Sequence, residues 1–196
     1  MINDQALDAL FRTARTANGF LDRPVSDTQL RALFDLMKMA PTSGNSQPAR
    51  LLFLCTPEAK ERLRPALSSG NLDKTMSAPV VAIVAHDTQF QEHLPRLFPH
   101  APKFRAMYEG DDKRAARETV AFRNGTLQGA YLIMAARAIG LDCGPMSGFD
   151  NAKVDAEFFP DGRFRSNFIC NLGYGDPSKV LGRHPRFDFD EVCRIL

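Results

Sequence analysis

The chain has 196 residues, of which 44% are hydrophobic and 24% charged, and its net charge is +2. That length supports one domain, residues 1–196, with a substantial core, and so small a charge gives no electrostatic case for a nucleic-acid partner. The most apolar run, residues 79–85, is too short to cross a bilayer, and Cys55, Cys143, Cys170 and Cys193 form no CxxC pair, which argues against a disulfide scaffold or a zinc site.

The opening Met1-Ile2-Asn3-Asp4-Gln5 has no basic segment followed by an apolar one, so no signal peptide is expected. From the widely spaced cysteines, reduced thiols in a cytoplasmic protein are expected. Residues 7–13 read as a first helix. Ser26, with Gln29 three residues on, forms a capping-box pattern. Leu30, Leu33, Phe34 and Met37 continue at helical spacing until Pro41 stops the helix. Residues 41–48, Pro-Thr-Ser-Gly-Asn-Ser-Gln-Pro, are a loop by composition. Residues 50–55 read as a strand, after which Thr56-Pro57 opens a helix as N-cap and first helical residue.

Val80-Val-Ala-Ile-Val-Ala85 is a continuous β-branched run and predicts a buried central strand. Residues 86–111 contain three prolines and little periodicity, and read as an irregular surface excursion. A long helix is expected over 112–139. Val120, Leu127, Tyr131, Met134 and Ala138 form its apolar stripe, for core or dimer packing, and Gly140 ends it. Short strands are expected at 141–143 and 166–172, on either side of a helix at 151–158. The tail from Asp176 is polar until residues 189–196. Strands and helices alternate irregularly, which predicts an α+β fold with a mixed sheet flanked by helices.

Compact nucleotide motifs are absent: no GxGxxG follows a strand, and there is no GxxxxGK[ST]. A GxSxG elbow is missing too, and His86, His93, His100 and His184 have no metal-ligand spacing. No metal is expected. Cys143 has no basic partner nearby in sequence and reads as structural. His93 and His100 read as surface histidines within the excursion.

Five dispersed segments remain. They are Ala14-Arg15-Thr16-Ala17-Asn18, residues 41–48, Asn71-Leu72-Asp73-Lys74, residues 144–150 (Gly-Pro-Met-Ser-Gly-Phe-Asp), and Gly173-Tyr174-Gly175-Asp176-Pro177 followed by Lys179 and Arg183. In this order and at these separations they resemble the FMN-dependent nitroreductase family, over nearly the whole chain from about residue 10. Residues 14–20, 41–43, 64–72 and 145–150 are similar to one branch of it, the malonic semialdehyde (RutE-like) reductases of pyrimidine breakdown. Leu97-Phe98-Pro99-His100 and Glu118-Thr119 share that similarity.

The resemblance implies an intertwined homodimer with sites at the subunit interface. FMN would be the cofactor and NADH or NADPH the co-substrate. Arg15 and Arg183 would hold the FMN phosphate, with Thr16 donating from its hydroxyl. A guanidinium suits this because its planar fork grips phosphate oxygens in a fixed orientation. Many family members carry a second cation where this chain has Asn18, so more of the grip falls to Arg15 and Arg183; Lys179 is a further candidate. Asn71 would bond the pyrimidine edge of the flavin, and Lys74 would stabilise the negative charge that reduction leaves there. Pro145, Met146, Ser147 and Gly148 would face flavin N5, and Lys74, Ser147 and Gly148 are the expected catalytic positions. Pro41, Thr42, Ser43 and Asn45 would reach the cofactor from the partner subunit.

The implied reaction is a ping-pong hydride transfer from NADH or NADPH, through flavin N5, to a small molecule. The branch implies 3-oxopropanoate, reduced to 3-hydroxypropanoate. Its carboxylate calls for a cation, and Arg96, Lys103 and Arg105 in the excursion are candidates. The rivals are a broad nitroaromatic or quinone reductase and a non-enzymatic flavin-binding protein.

Overall fold

The computed structural model describes residues 2–196. α1 (Asp4–Leu7) runs on as a π-helical turn, Asp8–Arg12, in place of the single helix expected over 7–13. α2 (Asp27–Met37) starts on the expected capping box: Ser26 accepts from the Gln29 amide, and the Gln29 side chain accepts from the Ser26 amide. α3 (Pro57–Leu63) is capped by the Thr56 side chain. α4 (Leu72–Met76) is a single short turn. The excursion holds two helices, α5 (Leu94–Leu97) and α6 (Pro102–Ala106), each with a proline in its first turn. Then come α7 (Arg114–Ala138), α8 (Asn151–Phe158) and α9 (Phe189–Val192).

Among the described residues, four strands make one sheet: β1 (Ala49–Leu54), β2 (Val80–Asp87), β3 (Asp142–Met146) and β4 (Phe164–Gly173), in the order β1-β2-β4-β3. The fold is α+β as expected, but the sheet is not mixed. Every strand pairing is antiparallel, and parallel pairing occurs only at the isolated bridge between Thr16 and Cys143. The helices between strands therefore do not act as parallel crossovers. All eight residues of β2 are buried, as its β-branched run predicts.

α2 and α7 cover one face of the sheet. Leu30, Leu33 and Met37 of α2 share a buried cluster with Leu132, Ala135 and Ala136 of α7 and with Val80, Ala82 and Val84 of β2. The expected stripe on α7 is not its core face: Leu127 and Tyr131 are 47% and 43% exposed. Small residues and amides face inward instead, namely Ala121, Asn124, Gly125, Gln128 and Gly129. At Gly125 and Gly129 the helix sits too close to the sheet for larger side chains. A Cβ on Gly129 would lie 2.5 Å from the Phe168 ring. No helix among the described residues is long and apolar enough to cross a membrane.

Candidate functional site

The site is organised along β3. At its start, the Ala17 amide donates to the Cys143 carbonyl at 2.9 Å, which pins residues 14–18 alongside the strand. Gly144 permits the approach, because a Cβ there would meet the Ala17 carbonyl oxygen at 2.7 Å. The segment after β4 returns to the same place, where the Gly175 amide donates to Asp142 Oδ2 at 2.8 Å. Arg15 donates to the Leu181 carbonyl. Arg183 Nη2 donates to the carbonyls of Arg12 at 2.7 Å and Ala14 at 3.1 Å. Both guanidinium planes are thus fixed by backbone from the other end of the chain.

Between these segments lies a cavity of about 460 Å³, lined by Arg15, Thr16, Asn18, Arg137, Arg183 and Arg186 with apolar neighbours and His184. No Asp or Glu among the described residues lines it. Four guanidiniums without a carboxylate, beside a hydroxyl, form a donor set suited to a multiply charged oxyanion such as a phosphate. Asn18 turns its amide to the Thr16 carbonyl at 3.4 Å. Exposed Lys179 lays its side chain over Gly19, next to Asn18.

At the far end of β3, roughly 14 Å away at about 3.4 Å per residue, a second cluster forms. Asn71 Nδ2 donates to the Gly148 carbonyl at 2.8 Å, and the Ser68 amide donates to the same oxygen at 3.1 Å. Gly148 must lack a side chain, since a Cβ would sit 2.4 Å from Asn71 Nδ2. Half-buried Lys74 stands on α4 beside them, and its ammonium makes no hydrogen bond or ion pair among the described residues. Met146 is buried, Pro145 half-buried and Ser147 exposed. The structure therefore brings Arg15, Thr16, Asn18 and Arg183 together around the cavity, leaves Lys179 outside its lining, over Gly19, and separately groups Asn71, Lys74, Pro145, Met146, Ser147 and Gly148.

The loop 41–48 joins neither cluster within the chain. The Ser43 amide donates to Asn124 Oδ1 at 2.9 Å, and Asn45 Nδ2 donates to the Leu97 carbonyl at 2.8 Å. Thr42 Oγ1 accepts from the Gln47 amide at 3.2 Å, while Pro41 is exposed. Asn124 lies thirteen residues before Arg137 on α7, so the loop and the arginine cavity are roughly 20 Å apart along that helix. Gly44, Asn45 and Gln47 all adopt left-handed backbone, at φ 55°, 47° and 39°.

Sequence reasoning missed Arg137, His184 and Arg186 in the cavity. A basic residue in the last turn of a helix, as Arg137 is, passes as a complement to the helix dipole and gave no separate signal. It also missed Asn124 and Gln128, whose signal was available: two amides on the buried face of a helix need partners. Gln128 Oε1 accepts from the Ala49 amide at 2.9 Å. Cys143 is buried, and its thiol donates to the Ile133 carbonyl at 3.6 Å; the neighbouring Cys143 thiol and burial hold the Cys170 thiol well above the usual range. No group of three metal-ligating side chains occurs among the described residues.

Residues 12–174 match the model of the Nitroreductase family, and the chain belongs to that family. A Cupriavidus pinatubonensis protein named NADH dehydrogenase/NAD(P)H nitroreductase is 58% identical over 195 residues, covering 100% of both chains. A Burkholderia lata protein of the same description is 61% identical over 194 residues, covering 99% of this chain and 98% of its own. The crystal structure of an Exiguobacterium sibiricum nitroreductase in complex with FMN matches with a TM-score of 0.88 at 17% identity, covering 100% of this chain and 99% of that one. That likeness is one of fold.

Proposed function

We propose that residues 1–196 form a single FMN-binding domain, an oxidoreductase that takes reducing equivalents from NADH or NADPH and passes them to a small molecule. The observation that carries this reading is the pair of clusters beside β3: at one end an arginine cavity lined by no carboxylate, adjoining a hollow that shares Arg15, Thr16 and Arg137 and includes Asp142, and at the other Asn71, Lys74 and the Ser147-Gly148 backbone. Family membership supports it, as do the relatives' names and the FMN held by the Exiguobacterium protein.

Arg15 and Arg183 hold the phosphate, aided by the Thr16 hydroxyl, Asn18 and Lys179. Their carbonyl partners at Leu181, Arg12 and Ala14 keep the guanidiniums in place before the ligand arrives. Asn71 holds the pyrimidine edge. Lys74 places a cation where negative charge develops on reduction. The backbone of 145–148 shapes the reactive edge, with Gly148 giving close approach. Bound FMN supplies two-electron hydride chemistry, which no side chain of this chain provides.

The working unit is a homodimer in which Pro41, Thr42, Ser43 and Asn45 complete the partner's site. Two observations support this. The loop is remote from its own chain's clusters, and large apolar side chains stand exposed on α2 (Phe34, Leu36) and α7 (Phe122, Leu127, Tyr131). The four free cysteines support a reducing, cytoplasmic setting.

The relatives' names favour a nitro acceptor. The segments similar to malonic semialdehyde reductases favour 3-oxopropanoate and a place in pyrimidine catabolism. Of the cations considered for its carboxylate, Arg105 is paired with Glu109 at 2.6 Å, and Arg96 lines a separate cavity with Arg50 and Asp87. The test is anaerobic. Purified protein is expected to be yellow and to bleach on NADH or NADPH. The bleached enzyme is then offered 3-oxopropanoate, nitroaromatics and quinones, and re-oxidation rates name the acceptor. Colourless protein sinks the flavin reading; yellow protein that does not bleach is a flavin carrier.

Lys74→Met is expected to keep FMN but lower its reduction potential. Removing one charged contact worth about 1.5–3 kcal/mol corresponds to about 30 to 60 mV for a two-electron couple. An unchanged or raised potential in spectroelectrochemical titration removes Lys74 from the charged end of the ring.

A further inference from the structure

Asn171 is a polar residue in the interior of the sheet. It lies on β4 between Val81 of β2 and Gly144 of β3 and is fully buried. Its Nδ2 donates to the Lys74 carbonyl at 3.1 Å and to Thr75 Oγ1 at 3.4 Å. Thr75, also fully buried, donates a hydrogen bond from its hydroxyl to Met146 Sδ at 3.4 Å. The donors run in one direction, from Asn171 through Thr75 to Met146. The amide orientation follows from the partners, since the flipped amide would set Oδ1 against the Lys74 carbonyl oxygen. Asn171 Oδ1 has no hydrogen-bond partner among the described residues. An unpaired buried carbonyl destabilises the fold, so an apolar residue would serve packing better at this position.

What the amide achieves is local. α4 has five residues, too few to be stable as a helix by itself. Side chains from outside hold it along its length. Asn71 ties its start to Gly148, Asn171 and Thr75 tie its middle to β4 and β3, and Lys60 Nζ donates to the carbonyls of Met76 at 3.1 Å and Ala78 at 2.8 Å. The middle pair bears on Lys74 directly, because it grips the carbonyl of that residue and the hydroxyl of the next.

We propose that Asn171 and Thr75 are positioning residues for Lys74, fixing the α4 backbone so that the Lys74 ammonium keeps one position relative to the Met146-Ser147-Gly148 backbone. This rests on the flavin reading. Asn171 and Thr75 touch no reacting atom; they act by holding the cation that stabilises the reduced cofactor.

The test uses Thr75→Val, which keeps the shape and loses the hydroxyl, Thr75→Ser, which keeps the hydroxyl, and Asn171→Leu. In the FMN-free chain, hydrogen exchange of the amides over 72–78 is expected to rise on the order of tenfold in Thr75→Val and Asn171→Leu, with β2 unchanged. In the FMN-loaded protein the same two variants are expected to lower the flavin potential in the direction of Lys74→Met and to slow reduction by NADH, again on the order of tenfold. Thr75→Ser restores both. Should Asn171→Leu fail to fold, the valine and serine pair carries the test. Valine and leucine variants that hold FMN at the wild-type potential, or that leave exchange over 72–78 unchanged, overturn the positioning role and leave the flavin reading standing. A wild-type chain that holds no FMN overturns the flavin reading itself, and this role with it.

Discussion

Arg183→Ala is expected to weaken FMN binding on the order of 10- to 150-fold. The figure follows from one charged hydrogen bond, worth about 1.5–3 kcal/mol. The site is arranged to make this loss hard to offset. Arg183 lines the cavity while its Nη2 is occupied by the Arg12 and Ala14 carbonyls, and its remaining donors have no hydrogen-bond partner among the described residues, in a cavity that no carboxylate lines. Removing it leaves Arg15, which is itself tied to the Leu181 carbonyl in the stretch that Arg183 anchors. Arg183→Lys is expected to fall between wild type and alanine, because an ammonium keeps the charge and loses the planar fork. Fluorescence titration with FMN gives the affinities, and far-UV circular dichroism checks that the fold is intact. Undiminished affinity in the alanine variant excludes Arg183 from the phosphate grip.

Provided that Lys74→Ala and Asn45→Ala each severely impair activity, the two variants are expected to regain activity when mixed. Lys74→Ala damages the cluster at the end of β3, and Asn45→Ala damages the loop that lies roughly 20 Å from the arginine cavity along α7. If each two-fold site draws these residues from different chains, a mixed dimer collects both defects in one site and leaves the other wild type. Random assembly makes about half the dimers mixed, so roughly a quarter of wild-type activity returns. Co-expression with two affinity tags isolates the mixed species, and mass spectrometry confirms it. Mixed dimers without activity would mean that the loop and the β3 clusters do not meet across an interface.

Much of the architecture was legible because local chemistry and tertiary packing agree. Ser26 with Gln29 and Thr56 with Pro57 start helices where their side chains cap them, and the run 80–85 becomes the buried central strand. Helix 151–158 appears with the expected bounds. The α7 stripe was open to core or dimer packing from sequence; it is not the core face, because burial there depends on how close helix and sheet can come at Gly125 and Gly129. The sheet's sense of pairing was hidden for a related reason: alternation of strands and helices looks the same whether or not a helix connects parallel neighbours. Arg15, Asn71, Lys74 and Arg183 came from the order of five segments. Taken singly, each would pass as a surface residue. Two supports of the site, Asn171 and Thr75, had no motif to carry them, and only their buried partners disclose what they hold.

The loop 41–48 combines unfavourable backbone with many restraints. Gln47 sits in a left-handed region that costs an ordinary L-residue roughly 1–2 kcal/mol, and Asn45, a residue better suited to it, sits there too. Gly44 is closed over by Phe104, whose ring would lie 2.2 Å from a Cβ there. Asn124, Leu97 and the Asn45–Gln47 pair at 2.7 Å hold the rest. Such a loop has surrendered its freedom during folding. A flexible loop would give up about 1–2 kcal/mol per residue in backbone entropy when something docks on it. This one has little left to give up, so whatever meets its polar face keeps nearly all the free energy of the contact.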